Sequence, residues 1–198
     1  MSPLDAFTKR MFDIVCAFLG LSLLGWLILL AWLAASIDTR NNGFFTQVRV
    51  GQNGRLFKVV KIRTMLIKAG LNTSVTTATD ERITTLGSMF RKTKIDELPQ
   101  LFNVLVGQMS FVGPRPDVPG FADKLKGEAR LLLTVKPGIT GPASLKYKYE
   151  EQLLASVEAP ETYNRNVLWP DKVKINIEYI KAWTLTKDIQ YMIKTLVS

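Results

Sequence analysis

The sequence predicts an α+β fold, mostly helical, in which an N-terminal membrane-embedded, re-entrant helix (residues 1–40) leads into one small domain with a short β-hairpin (residues 41–198). Three observations predict it. Residues 14–37 carry no charge, and at about 1.5 Å per residue a helix of that length matches a hydrocarbon core of about 30 Å. Two short apolar and β-branched segments then flank the turn Gly51-Gln52-Asn53-Gly54. Further on, apolar residues recur at helical spacing.

Taking the elements in order, the apolar run is too long for the roughly 7–15-residue core of a cleaved signal peptide, which favours a retained anchor. Both of its flanks are basic, with Lys9 and Arg10 before it and Arg40, Arg49 and Arg55 after it. A simple span would therefore conflict with the positive-inside rule. A helix that bends near Gly25-Trp26 and leaves on the face it entered keeps both flanks cytoplasmic. A plain spanning helix with its N-terminus outside stays open as the alternative, because no proline marks the bend. Asp13 lies one turn after Lys9 and Arg10, where an i,i+3 or i,i+4 pair would neutralise it. Lys58, Lys61 and Arg63 are available to rest against lipid headgroups.

Residues 44–49 and 56–62 read as the two strands of the hairpin. Residues 68–79 are rich in Gly, Asn, Ser and Thr with no period, and read as an exposed, mobile loop. Helices are predicted over 82–92 and over 96–106, the second from Leu98, Leu101, Phe102 and Leu105, with Gly107 ending it. A rigid segment at 112–116, a helix over 122–133 and a turn-rich stretch at 136–141 follow. Two short helices close the chain, one on Val173, Ile177, Ile180 and Trp183, the other on Ile189, Met192 and Leu196. With no repeat and no low-complexity linker, a second soluble domain is not expected.

Composition narrows the chemistry. Lys and Arg number 26 against 17 for Asp and Glu, a net charge of +9, so the partners should be anionic. There is no histidine, and the one cysteine, Cys16, lies in the apolar run. Cys/His zinc sites, disulfide frameworks and histidine-based catalysis are excluded, leaving carboxylates, Lys, Tyr, Ser or Thr. Asp96-Glu97 opens a predicted helix with Pro99 in its first turn, and on that alone an N-cap is the better reading of Asp96. Its company points elsewhere: Lys61 and Arg63 upstream, Arg91 five residues before it, and Arg115 between two prolines make an anion site. An ionised carboxylate near a helix N-terminus is expected to keep a low pKa and so to be a ready oxygen nucleophile, and Mg²⁺ held by Asp96, Glu97 and substrate phosphates would complete the charge balance. A nucleic-acid binder is disfavoured, since neither a stacking platform nor a recognition helix is evident.

These residues resemble the monotopic phosphoglycosyl transferases, also called bacterial sugar transferases. The resemblance runs through Lys9-Arg10-x-Phe12-Asp13, Phe45-x-Gln47-x-Arg49-x-Gly51, Lys61-x-Arg63-Thr64-Met65, Asp80-x-Arg82-x-Thr84, Asp96-Glu97-Leu98-Pro99-Gln100-Leu101-x-Asn103-Val104, Met109-Ser110-x-Val112-Gly113-Pro114-Arg115-Pro116 and Lys136-Pro137-Gly138-Ile139-Thr140-Gly141. It implies a ping-pong reaction at the cytoplasmic face of the bacterial inner membrane. Asp96 attacks the β-phosphate of a UDP-sugar, UMP leaves, and polyprenyl phosphate takes the phosphosugar, the first lipid-linked intermediate of a surface glycan. It further implies Glu97 as the partner of a catalytic dyad, Mg²⁺ as the metal, Lys61, Arg91 and Arg115 as phosphate contacts, and membrane lipids as surroundings. A homodimer is compatible with all of this, and a noncatalytic membrane scaffold of the same pathway is the alternative function. The sequence departs from the family pattern in three places: Gly25-Trp26 stands for the usual Ser-Pro, the segment 141–148 differs, and Asn176 stands for the usual Asp before Tyr179. The stretch from Tyr149-Glu150-Glu151 to Leu168-Trp169-Pro170-Asp171 resembles a side branch with its own specificity loop.

Overall fold

The computed structural model describes residues 1–67 and 80–197. The predicted loop at 68–79 lies outside the described residues. The chain opens with α1, Pro3–Thr39. Ser2 caps it in a reciprocal box with Asp5, Pro3 fills the first turn where no N–H is needed, and Arg40 at φ 50° turns the chain out. The helix runs unbroken through Gly25-Trp26, where the sequence predicts a bend; no proline interrupts its hydrogen bonds.

One side of α1 is core. Ala17 packs with Phe57, Val59, Val104 and Met109, and Ile28, Ala31 and Ala35 pack with Ile62 and Phe90. The opposite side is apolar and exposed, with Leu4, Phe7, Phe18, Leu23, Trp26, Leu33 and Ile37 all at least half accessible. Polar tethers hold the first turns. Asp13, 2% exposed, accepts from Ser110 Oγ at 3.0 Å and the Phe111 N–H at 3.1 Å. Lys9 pairs with Asp188, far along the chain, and Arg10 donates to the carbonyls of Val104 and Leu105 at 2.7 and 2.8 Å. Of the predicted local neutralisation of Asp13, the Lys9 charge still acts on it, while Arg10 turns to the carbonyls of Val104 and Leu105 and long-range bonds do the rest.

The hairpin forms as predicted: β1, Phe44–Val50, pairs antiparallel with β2, Leu56–Ile62, around a 3₁₀ turn with Asn53 at φ 57°. The next helix, α2, is Thr85–Lys92 and starts three residues later than predicted. Thr84 caps it by accepting from the Gly87 N–H at 2.8 Å, and Ile83 instead bridges to Met65. The helix predicted over 96–106 divides into a 3₁₀ turn, Ile95–Glu97, and α3, Gln100–Leu105, with Pro99 at the junction.

The rigid segment and the turn-rich stretch hold a strand each, which local pattern did not show. Strand β3, Ser110–Val112, pairs parallel with β4, Gly138–Thr140. Between them the helix predicted over 122–133 is two 3₁₀ segments, Ala122–Lys124 and Gly127–Thr134, parted by an extended Leu125 and by Gly127 at φ 57°. After β4 come α4, Pro142–Lys146, α5, Glu150–Ala155, and α6, Pro160–Tyr163. The two closing helices are present as α7, Trp169–Lys181, and α8, Leu185–Val197. Tyr179 and Ile180 of α7 pack with Val112 and Val135.

Candidate active site

The 3₁₀ turn at Ile95–Glu97 places both carboxylates of the Asp-Glu pair. Lys94 at φ 59° reverses the chain after α2, so Asp96 follows a left-handed residue and sits inside the turn rather than at a helix cap. It is 8% exposed, and its Oδ1 is buried with no hydrogen-bond partner. Burial, reinforced by the Glu97 charge, pushes the Asp96 carboxyl up to about 6, against the pull of Lys61, Arg91 and Lys94.

Glu97 is the opposite case. Its Oε1 accepts from Lys61 Nζ and from Arg115 Nη2, each at 2.8 Å. Burial opposes ionisation, yet Arg115 and Lys61 hold the Glu97 carboxyl well below the usual carboxylate range. Burial lowers the Lys61 ammonium and Glu97 raises it back, while Glu97 raises the Arg115 guanidinium. Two adjacent carboxylates thus have separated environments, one clamped as an anion, the other poised near neutrality.

Asn103 sets the distance between the two halves of the site. From α3 its Oδ1 accepts the Val60 N–H at 3.1 Å and its Nδ2 donates to the Lys58 carbonyl at 2.8 Å, tying α3 to β2 one residue from Lys61. Lys61 belongs to this site, so it is not available to the headgroups as the sequence suggested. Arg115 is held through its neighbour: Arg49 Nη1 donates to the Pro116 carbonyl at 2.9 Å, and the Val50 N–H donates to the Asp117 carbonyl at 2.9 Å. The Asp117 carboxyl is pushed up to about 7 by burial, with Arg49, Lys172 and Arg115 opposing.

Of the six residues singled out from sequence, the structure gathers Asp96, Glu97, Lys61 and Arg115, with Arg91 near enough to act on the Asp96 charge. Arg63 is not brought in. Its Nε donates to the Asn42 carbonyl at 2.7 Å and its guanidinium stacks 5.7 Å from the Phe45 ring, at the turn that follows α1. Sequence reasoning missed Arg49 and Asn103 as supports. Strand alternation could have found Arg49, since Phe45 faces Lys61 in the hairpin register and Gln47 and Arg49 continue along that side.

No group of three or more His, Cys, Asp or Glu converges as a metal cage among the described residues. Mg²⁺ characteristically takes one or two protein carboxylates and completes its octahedron from phosphate oxygens and water. The buried, unpartnered Asp96 Oδ1 fits that role. Glu97, with Oε1 shared by two cations, is a weaker donor.

Residues 4–198 match the family described as bacterial sugar transferase. The chain belongs to that family. Among relatives, it is 34% identical over 194 residues to the UDP-glucose:undecaprenyl-phosphate glucose-1-phosphate transferase of Caulobacter vibrioides, covering 96% of this chain and 68% of that protein. It is 37% identical over 207 residues to the undecaprenyl-phosphate glucose phosphotransferase of Komagataeibacter xylinus, covering 99% of this chain and 36% of that protein. The undecaprenyl-phosphate galactose phosphotransferase of Salmonella typhimurium is 33% identical over 207 residues, with 96% of this chain and 40% of that protein covered. The chain therefore spans less than half the length of the last two. Bacterial sugar transferases at comparable identity carry different sugars in their names, and the family alone does not specify the sugar for this chain.

Proposed function

We propose that the protein transfers a sugar 1-phosphate from a UDP-sugar to undecaprenyl phosphate through a covalent intermediate on Asp96, releasing UMP, as the first membrane step of surface glycan synthesis. The observation that carries the reading is a buried Asp96 oxygen without a partner, beside a carboxylate already clamped by two cations. In the first step an Asp96 oxygen attacks the donor's β-phosphorus. The bond from that phosphorus to the bridging oxygen breaks, and UMP leaves with the electron pair. In the second, an oxygen of the polyprenyl phosphate attacks the same phosphorus, the bond to Asp96 breaks, and the carboxylate is regenerated with a polyprenyl diphosphosugar as product.

This chain's residues supply electrostatics and placement. Glu97 holds Lys61 and Arg115 at fixed positions, and Arg115, with half its side chain accessible, is presented to incoming phosphate. Mg²⁺ held by Asp96, with Glu97 alongside, would neutralise phosphate charge and polarise the phosphoryl oxygens. The relatives' names support the acceptor, each specifying undecaprenyl phosphate.

We further propose that α1 seats the protein at the inner membrane, with its exposed apolar side in lipid, both ends on one face and the globular part in the cytoplasm. Support comes from its two ends: Lys9 and Asp13 bury against the globular part, and Thr39 is followed five residues later by the start of β1 at Phe44.

The test is incubation of the protein with a panel of UDP-sugars, undecaprenyl phosphate and Mg²⁺, read as UMP release. UMP with at least one donor is expected, together with a phosphosugar adduct on Asp96 when the acceptor is withheld. Absence of UMP across the panel would leave the scaffold alternative standing, and kinetics requiring both substrates before UMP leaves would overturn the covalent route.

A further inference from the structure

Arg91 reaches the site from α2, and its charge acts on Asp96. Its guanidinium is engaged from the other side of the molecule: Nη2 is paired with Glu151 Oε1 on α5, and Nη1 lies 3.9 Å from Met65 Sδ. The residue before, Glu150, pairs with Lys172 of α7 at 2.6 Å and is near enough to Arg115 and Asp117 to act on both. Helix α5 therefore lays two consecutive carboxylates along the cationic rim around Asp96, one on each of two cations.

The two pairs differ in exposure. The Glu150 and Lys172 side chains are 27% and 18% exposed, whereas the Glu151 side chain is 46% exposed. An ion pair that open to solvent is weak and readily exchanged. A diphosphate carries more charge than a carboxylate and accepts from a guanidinium at two oxygens at once. Glu151 thus occupies, in the substrate-free protein, a cation that a phosphorylated substrate would engage more strongly.

We infer that Glu151 is a specificity-determining residue that competes with the donor's diphosphate for Arg91. The donor enters by displacing the carboxylate, and an anion that engages Arg91 less strongly than a diphosphate does, such as inorganic phosphate, is held back. The inference rests on the reading of Asp96 as a nucleophile toward a nucleoside diphosphate sugar. It locates one determinant of donor recognition on the acidic pair of α5, in the stretch that resembles a side branch of the family.

The experiment measures UDP and inorganic phosphate binding by calorimetry, with Mg²⁺, on the full chain in nanodiscs. Glu151→Gln is expected to bind UDP about twofold to fivefold more tightly than the wild type, the range for removing one exposed competing pair. It should also bind inorganic phosphate more tightly than the wild type does, by no more than the same factor, and lower the donor KM with kcat little changed. Glu151→Asp, which keeps the charge, should stay close to wild type. Combining Glu151→Gln with Arg91→Gln should erase the gain, because the contested cation is gone. UDP affinity equal to or below wild type in Glu151→Gln would overturn the inference and make Glu151 an orienting partner of Arg91. A wild type that turns over its donor while Glu151→Gln leaves KM unmoved sinks this inference alone. A wild type that neither binds UDP nor releases UMP sinks the underlying reading with it.

Discussion

Asp96 shows how one residue type serves two ends depending on its neighbours. In sequence, an Asp followed by Glu and Pro before an apolar helical run is a good N-cap. In the structure Pro99 and the left-handed Lys94 displace it into a 3₁₀ turn, and its Oδ1 caps nothing. The carboxyl value of about 6 has two consequences. Attack requires the ionised form, so kcat/KM should rise about tenfold per pH unit below 6 and level off above it, as measured across a pH series with saturating acceptor. The second consequence is on stability. The folded-state value lies above the unfolded one, so the native state holds the extra proton at low pH, and stability falls as pH rises through about 6. Asp96→Asn removes that penalty. It should abolish turnover while raising stability at pH 7.5 by about 3 kcal/mol, seen as a higher unfolding temperature. Loss of stability together with loss of activity would mean that Asp96 is structural.

At the scale of elements, motifs that look functional divide into those that carry charge and those that let backbones touch. Gly113, between β3 and Arg115, lies so close to the chain after it that an added Cβ would meet the Lys136 carbonyl at 2.5 Å, and one on Gly138 would meet the Gly113 nitrogen at 2.2 Å. These glycines exist for the parallel β3–β4 contact, which sets the position of Arg115. Gly113→Ala should therefore lower activity by at least about tenfold with destabilisation of about 2 kcal/mol or more, checked by UMP release and thermal unfolding. The capped start of α2 offers a milder test. Thr84→Ala removes the acceptor for the Gly87 N–H and should cost about 1 kcal/mol. The start of α2 was misread because local periodicity does not register a cap three residues in. The 3₁₀ character of 127–134 was missed because its apolar residues satisfy a helical period equally well.

On the scale of the whole molecule, α1 is core along one side and exposed apolar surface along the other. Lys9 and Asp188, 179 residues apart, form a buried pair, and Asp188 also accepts from Tyr179 Oη at 2.6 Å and Trp183 Nε1 at 2.9 Å. Asp188→Asn would take from the buried Lys9 ammonium its salt-bridge partner, leaving only Asp13 nearby, a change that costs about 3 kcal/mol and should lower the unfolding temperature by about 10 °C. An unchanged temperature would show that the first turns of α1 are not docked. The same docking bears on topology. In a Cys16→Ser background, Ser2→Cys and Asn41→Cys, both exposed and outside the apolar run, should react with a membrane-impermeant maleimide from the cytoplasmic side. Labelling from opposite sides would mean that α1 crosses the bilayer.

By itself the sequence determined the long apolar helix, the hairpin and its turn, the closing helix pair and the exclusion of histidine-based chemistry. Each is written in neighbouring residues: an uncharged run, strand alternation around Gly51 to Gly54, a 3.6-residue period, and the absence of histidine. Only the tertiary structure decided which cations meet Asp96 and Glu97, that Arg63 stays at the turn after α1, that β3 and β4 pair in parallel, and that Glu151 holds Arg91. Those contacts join segments dozens of residues apart, and what selects them is the shape of a buried core and the need to satisfy its polar atoms, which no local pattern of residues encodes.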